Sequence, residues 1–236
     1  MSTKTWIIFA AICVVLFGGL IIWSSRDNID VSKVDADKIQ PATKNSGNVA
    51  DHVFGDKDSN VVLFEYGDFQ CPGCGSAYPN VKAVSEKYEK QLAFVFRNFP
   101  LTTIHPNARA AAAAAEAAGL NGKYWQMHNA LYENQSSWSE SSTTERTNLF
   151  SQYAVNVGVD ANTFTKTLTS KSSQINRKID FDRAIGNKIG VSATPTFYLN
   201  GKKLESSQYD SEKALEKTIL KAFKDAGITV PEETKE

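Results

Sequence analysis

Two cysteines, Cys71 and Cys74, stand three apart in "EYGDFQCPGCGSAYP" (residues 65–79), with Pro72 and Gly73 between them. That spacing suits half of a zinc site, a static crosslink, or a thiol pair that exchanges disulfides. A structural zinc site wants four ligands. The remaining candidates are scattered: Cys13 lies in an apolar run, and His52, His105 and His128 form neither a His-x₃₋₅-His pair nor part of a second C-x-x-C. No metal is expected, and His105, just before Pro106, reads as a helix-start residue. A bond between residues three apart closes so small a loop that it removes little entropy from the unfolded chain. Reactivity is the better reason for the spacing.

The flanking residues fit that reading. Cys71 follows a strand-to-helix turn, where unpaired N–H groups and the helix dipole favour a thiolate. Pro72 takes the first helical position, where its missing N–H costs nothing. Cys74, one turn later, is placed to attack the Cys71 sulfur and resolve a mixed disulfide. Glu65 interrupts an otherwise apolar strand six residues before Cys71. A buried carboxylate there calls for a partner or a proton, and an outward-facing edge position is the alternative. Pro195, in Thr194-Pro195-Thr196, opens a later strand and reads as an edge or bulge, with a cis bond the rarer option.

The elements that must position these residues are legible in outline. Residues 60–68 and 92–100 read as buried strands, joined by a helix from Pro72 with Tyr78, Val81, Val84 and Tyr88 at helical intervals. This is a βαβ unit with parallel strands. An all-helical stretch follows over about 105–189, opening with the alanine run "HPNARAAAAAAEAAGL"; alanine is the best helix former. "TPTFYLNGKKLE" (194–205) returns to β, with Asn200-Gly201 as a hairpin turn. A last helix, about 211–226, carries Leu215, Ile219 and Phe223 on one face.

The 26 basic and 26 acidic residues of this 236-residue chain cancel, and no basic stripe marks a nucleic-acid surface. Residues 6–23, "WIIFAAICVVLFGGLIIW", carry no charge and match a bilayer core in length. Flanking charges read as N-terminus inside and body outside. A cleaved signal peptide is the competing reading, but no small-x-small site follows the run. Residues 24–50 are polar and nearly free of aromatics, which reads as a flexible linker. The expected organisation is thus residues 1–5 cytoplasmic, 6–23 transmembrane, 24–50 linker, 51–230 folded domain and 231–236 tail.

The order β-α-β, helical insert, β-β-α, with "FEYGDFQCPGC", "RNFPL", "HPNARAAAAAAEAAG" and "GVSATPTFYLNG" in sequence, resembles the DsbA-like branch of the thioredoxin superfamily over about residues 50–226. It is similar to the membrane-tethered extracytoplasmic thiol–disulfide oxidoreductases of bacteria. The resemblance implies an α/β (α+β) thioredoxin fold with a helical insertion between its two halves, plus the N-terminal transmembrane helix. It makes Cys71 the nucleophile, Cys74 the buried cysteine, Glu65 the buried acid and Pro195 a cis-proline facing the disulfide. Thr194, Pro195, Pro72 and Gly73 would face substrate, with the Thr194 backbone pairing to an extended segment. It implies no cofactor beyond the Cys71–Cys74 disulfide, reduced secreted proteins as substrates, a membrane quinone-linked reoxidase (DsbB- or VKOR-like) as electron acceptor, and a monomer. One departure stands out: strongly oxidising members carry histidine at the position of Gly73, so a milder oxidant is expected here. A reductase or isomerase of the same fold, or a tethered binding or chaperone module, are the other readings.

Overall fold

In the computed structural model, Trp6 and residues 29–230 are described. The chain divides into two units, Met1–Asp30 and Val31–Glu236, and the second carries the fold. The span expected over residues 6–23 lies, Trp6 apart, outside the described residues, as does the 231–236 tail. Among the described residues no helix is long and apolar enough to cross a membrane.

Strands β1 (Val53–Gly55), β2 (Val62–Gly67), β3 (Ala93–Asn98), β4 (Thr196–Leu199) and β5 (Lys202–Lys203) form one sheet in the order β1-β3-β2-β4-β5. β2 and β3 run parallel, as the βαβ reading requires, and the other pairings are antiparallel. Both central strands are covered on both faces, which explains their nearly unbroken apolar runs. The β4–β5 turn places Asn200 at φ 47° and Gly201 at φ 76°, the two positive values that an Asn-Gly hairpin supplies. β1 was not expected: three residues are too few to show a period.

Helix α1 (Pro72–Lys87) connects β2 to β3. The insert holds α2 (Ala108–Gly119), α3 (Tyr124–Glu133), the short α4 (Gln135–Trp138), α5 (Thr143–Asn156), α6 (Ala161–Ser170) and α7 (Ser172–Lys188). Small side chains let α2 lie close against its neighbours; Ala111, Ala114, Ala115, Ala117 and Ala118 are wholly buried. The closing helix α8 (Glu212–Asp225) packs Leu215, Ile219 and Phe223 inward and lies against α1.

Residues 31–50 correct the linker expectation. They wind over the domain, with Ala36, Ser46 and Val49 buried. Arg97 donates to the carbonyls of Ala36 (2.6 Å) and Lys38 (2.7 Å), Lys188 to those of Ser32 (3.0 Å) and Val34 (2.7 Å), and Arg177 to that of Lys44 (2.9 Å). Composition predicted freedom because the segment's own side chains bury little. The body's cations hold it by its backbone instead.

Arg97 belongs to a buried ionic cluster. Asp51 accepts from Arg97 (2.9 Å) and from Lys178 (2.9 Å), which also meets Asp182 at 2.5 Å. Against burial, Lys178 and Arg97 hold the Asp51 carboxyl below its ordinary range. Removing one member of such a cluster leaves buried charge uncompensated. Lys178→Met is therefore expected to lower unfolding free energy by about 3–5 kcal/mol in urea titrations, with the thiol chemistry of Cys71 unchanged.

Candidate redox site

β2 ends at Gly67, and the chain turns through Asp68, Phe69 and Gln70 into α1. The turn is tied tightly. The Cys71 N–H donates to the Asp68 carbonyl (3.0 Å), and the Asp68 carboxylate accepts from the N–H groups of Gln70 (2.8 Å) and Leu101 (2.8 Å). His105 Nδ1 lies 2.8 Å from the same carboxylate. Cys71 is thus the N-cap of α1, in extended conformation, with Pro72 at the first helical position. Cys74 follows one turn inside.

Both cysteines are thiols, and they are not equivalent. Cys71 retains 8% exposure while Cys74 has none. The Cys71 thiol is drawn down to about 5, chiefly by the Cys74 thiol, which donates to its sulfur; the N–H groups of Cys74 and Gly73 add to this, and burial opposes it. Burial pushes Cys74 well above the ordinary thiol range, and its interactions with Cys71 and Glu65 push it the same way. The pair therefore separates into a ready thiolate and a reluctant one.

Every sequence-predicted residue falls around this pair. Glu65, on the central strand β2, is 3% exposed, so the edge alternative does not hold. Burial raises its carboxyl to about 8, with the Cys71 charge adding to the effect. The Thr194–Pro195 peptide is cis. The Cys71 thiol donates to the Thr194 carbonyl at 3.3 Å. A side chain grown at Gly73 would put its Cβ 3.3 Å from Pro195 Cδ and 3.6 Å from Cys71 Sγ, so residue 73 sits between the thiol and the Pro195 loop.

Sequence reasoning missed a set of polar ties from the insert to this turn. Gln70 accepts from the Asn107 N–H (2.6 Å) and donates to the Ser139 carbonyl (2.7 Å); Gln135 donates to the carbonyls of Phe69 (2.7 Å) and Cys71 (2.9 Å). Asp68 and His105 are a further pair. Each contact joins residues more than thirty positions apart, and no local pattern announces it.

A parallel-stranded βαβ unit, a helical insert and a C-x-x-C at a helix start, opposite a cis-proline, describe a thioredoxin fold with two cysteines at the start of α1. Residues 47–219 match the family model described as Thioredoxin, and the chain belongs to that family. Among solved structures it is similar to BdbD from Bacillus subtilis in its oxidised form, with a TM-score of 0.63 and 22% identity over 79% of this chain and 98% of that one. It is also similar to a thioredoxin-like oxidoreductase from Silicibacter pomeroyi DSS-3, with a TM-score of 0.60 and 24% identity over 78% and 99%. Among curated proteins, Na(+)/H(+) antiporter NhaA 1 of Mycolicibacterium vanbaalenii is 37% identical over 153 residues, 64% of this chain and 23% of that protein. The chain thus spans about a quarter of the length of that relative.

Proposed function

We propose that this chain is an extracytoplasmic protein thiol–disulfide oxidoreductase that forms disulfides in secreted or surface proteins. The observation that carries the reading is the asymmetry of the pair: a thiolate-prone Cys71 at a helix start beside a deeply buried Cys74. In the oxidised enzyme, a substrate thiolate attacks Cys71 Sγ. The Cys71–Cys74 bond breaks, and Cys74 leaves and takes a proton, with Glu65 as the buried donor. A second substrate thiolate then attacks the substrate's own sulfur in the mixed disulfide. Cys71 departs as a thiolate, the better leaving group of the two because its pKa is low. The substrate loses two electrons and gains a disulfide; the enzyme is left as the dithiol.

Reoxidation then needs an electron acceptor, for which a membrane quinone-linked reductase is the expected class. Anchoring by residues 6–23 places the domain where disulfides persist. The similarity to structures of oxidoreductases supports this reading through the fold and the chain's own site. The antiporter name belongs to a protein nearly three times as long, of which the match covers 23%, and ion exchange is not carried over.

Gly73 favours the milder end of the oxidising range. A Cys71 pKa of about 5 lies between the roughly 7 of thioredoxin and the roughly 3.5 of the strongest oxidant. The reduction potential, read by equilibration with glutathione, is therefore expected between about −270 and about −120 mV. A value at the oxidising extreme would contradict the argument. Alkylation of Cys71 in the reduced protein should be nearly constant above pH 7 and fall as pH drops through about 5. A midpoint near the ordinary thiol value would remove the basis of the reading.

A further inference from the structure

We propose that Gln135, carried by the helical insert, is a positioning residue that holds the first turn of α1 in the geometry its thiol chemistry requires. The proposal rests on the redox reading above and assigns the insert a part in it. Gln135 Nε2 donates to two carbonyls that flank the turn, Phe69 at 2.7 Å and Cys71 at 2.9 Å. The Cys71 carbonyl already accepts the Gly75 N–H at 3.1 Å, so Gln135 fills its second acceptor site. One amide thereby clamps the turn before the helix and the helix N-cap together.

The clamp has a firm base. Trp138, the last residue of α4, is wholly buried, donates through Nε1 to the Leu131 carbonyl at 2.8 Å and meets the Phe150 ring edge-on. It also has a fitted seat. A Cβ on Gly75 would collide with Gln135 Oε1 and stand 3.1 Å from Nε2. Residue 75 is a glycine inside a helix, where alanine is intrinsically better. The amide's place against the turn supplies a reason for the exception.

The consequence for Cys71 is geometric and electrostatic together. With its carbonyl pinned, the Cys71 sulfur faces the N–H groups of the first turn. The amide also sets its positive end beside the residue that carries negative charge. Loss of Gln135 frees the turn and removes that dipole, and both changes disfavour the thiolate. A less stabilised thiolate makes the disulfide less oxidising.

The test uses the full-length chain and reads Cys71 directly, through thiolate absorbance against pH and through the glutathione equilibrium. Melting curves run alongside. Gln135→Met keeps the length and volume but neither donor. It is expected to raise the Cys71 midpoint by about half a unit or more, and to shift the glutathione equilibrium roughly threefold toward the less oxidising side. Gln135→Glu, with a carboxylate against two carbonyls, should shift both further. Gly75→Ala, which leaves Gln135 in the chain but pushes it aside, should move them in the same direction. It should add nothing in the Gly75→Ala/Gln135→Met double variant.

A Gln135→Met protein that melts lower but titrates and equilibrates like wild type overturns the proposal, because a purely structural role gives that result. If Gln135→Met does not fold, Gly75→Ala decides by the same two readings. A wild-type protein that never oxidises a dithiol peptide would overturn the redox reading; the titration comparison still decides the role of Gln135.

Discussion

Cys74→Ser is expected to accumulate a covalent enzyme–substrate species. In this variant the serine hydroxyl at position 74 takes over as donor to the Cys71 sulfur beside the first-turn N–H groups, so Cys71 still attacks an oxidised or activated thiol but finds no second cysteine to release the product. Cys71→Ser should instead fall to background, below roughly 1% of wild-type dithiol oxidation, because the remaining Cys74 is buried and holds its proton. Non-reducing gels and a fluorogenic dithiol peptide read the two outcomes. The contrast is the point. If either serine variant behaved like the other, the two sulfurs would be chemically equivalent and the asymmetry seen here would have no consequence. If a double serine variant kept full cellular function, the domain would be a binding module whose cysteines are incidental.

Glu65→Gln is expected to act on rate and stability in opposite directions. At neutral pH the Glu65 carboxyl, raised to about 8, holds its proton and can deliver it to departing Cys74. An amide cannot, and loss of positioned proton transfer slows resolution by about 10²-fold. The stability effect follows from linkage. An unfolded glutamate loses its proton near 4.3, whereas the folded one keeps it until about 8. Between those values the folded state binds more protons, so Glu65 makes stability fall as pH rises, by about 5 kcal/mol at most across the window. Below the lower value and above the upper one the contribution is flat. Glu65→Gln removes this slope, so the variant should gain on wild type as pH rises from about 4 to 8. Urea titrations of the oxidised protein at both ends of the range check the sign; there the Cys71 charge, the smaller of the two causes, is absent, so the upper edge of the window moves down.

The parts of this molecule that were legible in its sequence share a property: their signals are local. β2, β3 and α1 announced themselves through apolar runs and a proline at a helix start, and the β4–β5 turn through Asn200-Gly201. The cysteine pair and Glu65 were legible because residue type conflicts with context. A carboxylate in an apolar strand demands a partner or a proton, a question the sequence raises and the central place of β2 answers. What stayed hidden depends on partners far along the chain. Gln135 looks like any polar residue between helices until Phe69 and Cys71 are placed beside it. Residues 31–50 look unstructured because their anchors, Arg97, Arg177 and Lys188, lie in other elements and grip main-chain oxygens that every sequence possesses. β1 lay below the length at which alternation can be read.

The wrapping of residues 31–50 also sets an order of events during biogenesis. Contacts such as Lys188 to Ser32 and Arg177 to Lys44 join positions 156 and 133 residues apart. A chain made from its N-terminus can tie Ala36 and Lys38 to Arg97 early, but the carbonyls of Ser32, Val34 and Lys44 wait for their partners until α7 has emerged, when nearly four-fifths of the sequence is complete. The first residues of the domain to be synthesised are therefore among the last to find their places. A ribosome-stalled series of increasing length would show residues 31–50 fully protected from protease only in chains that include residues 172–188.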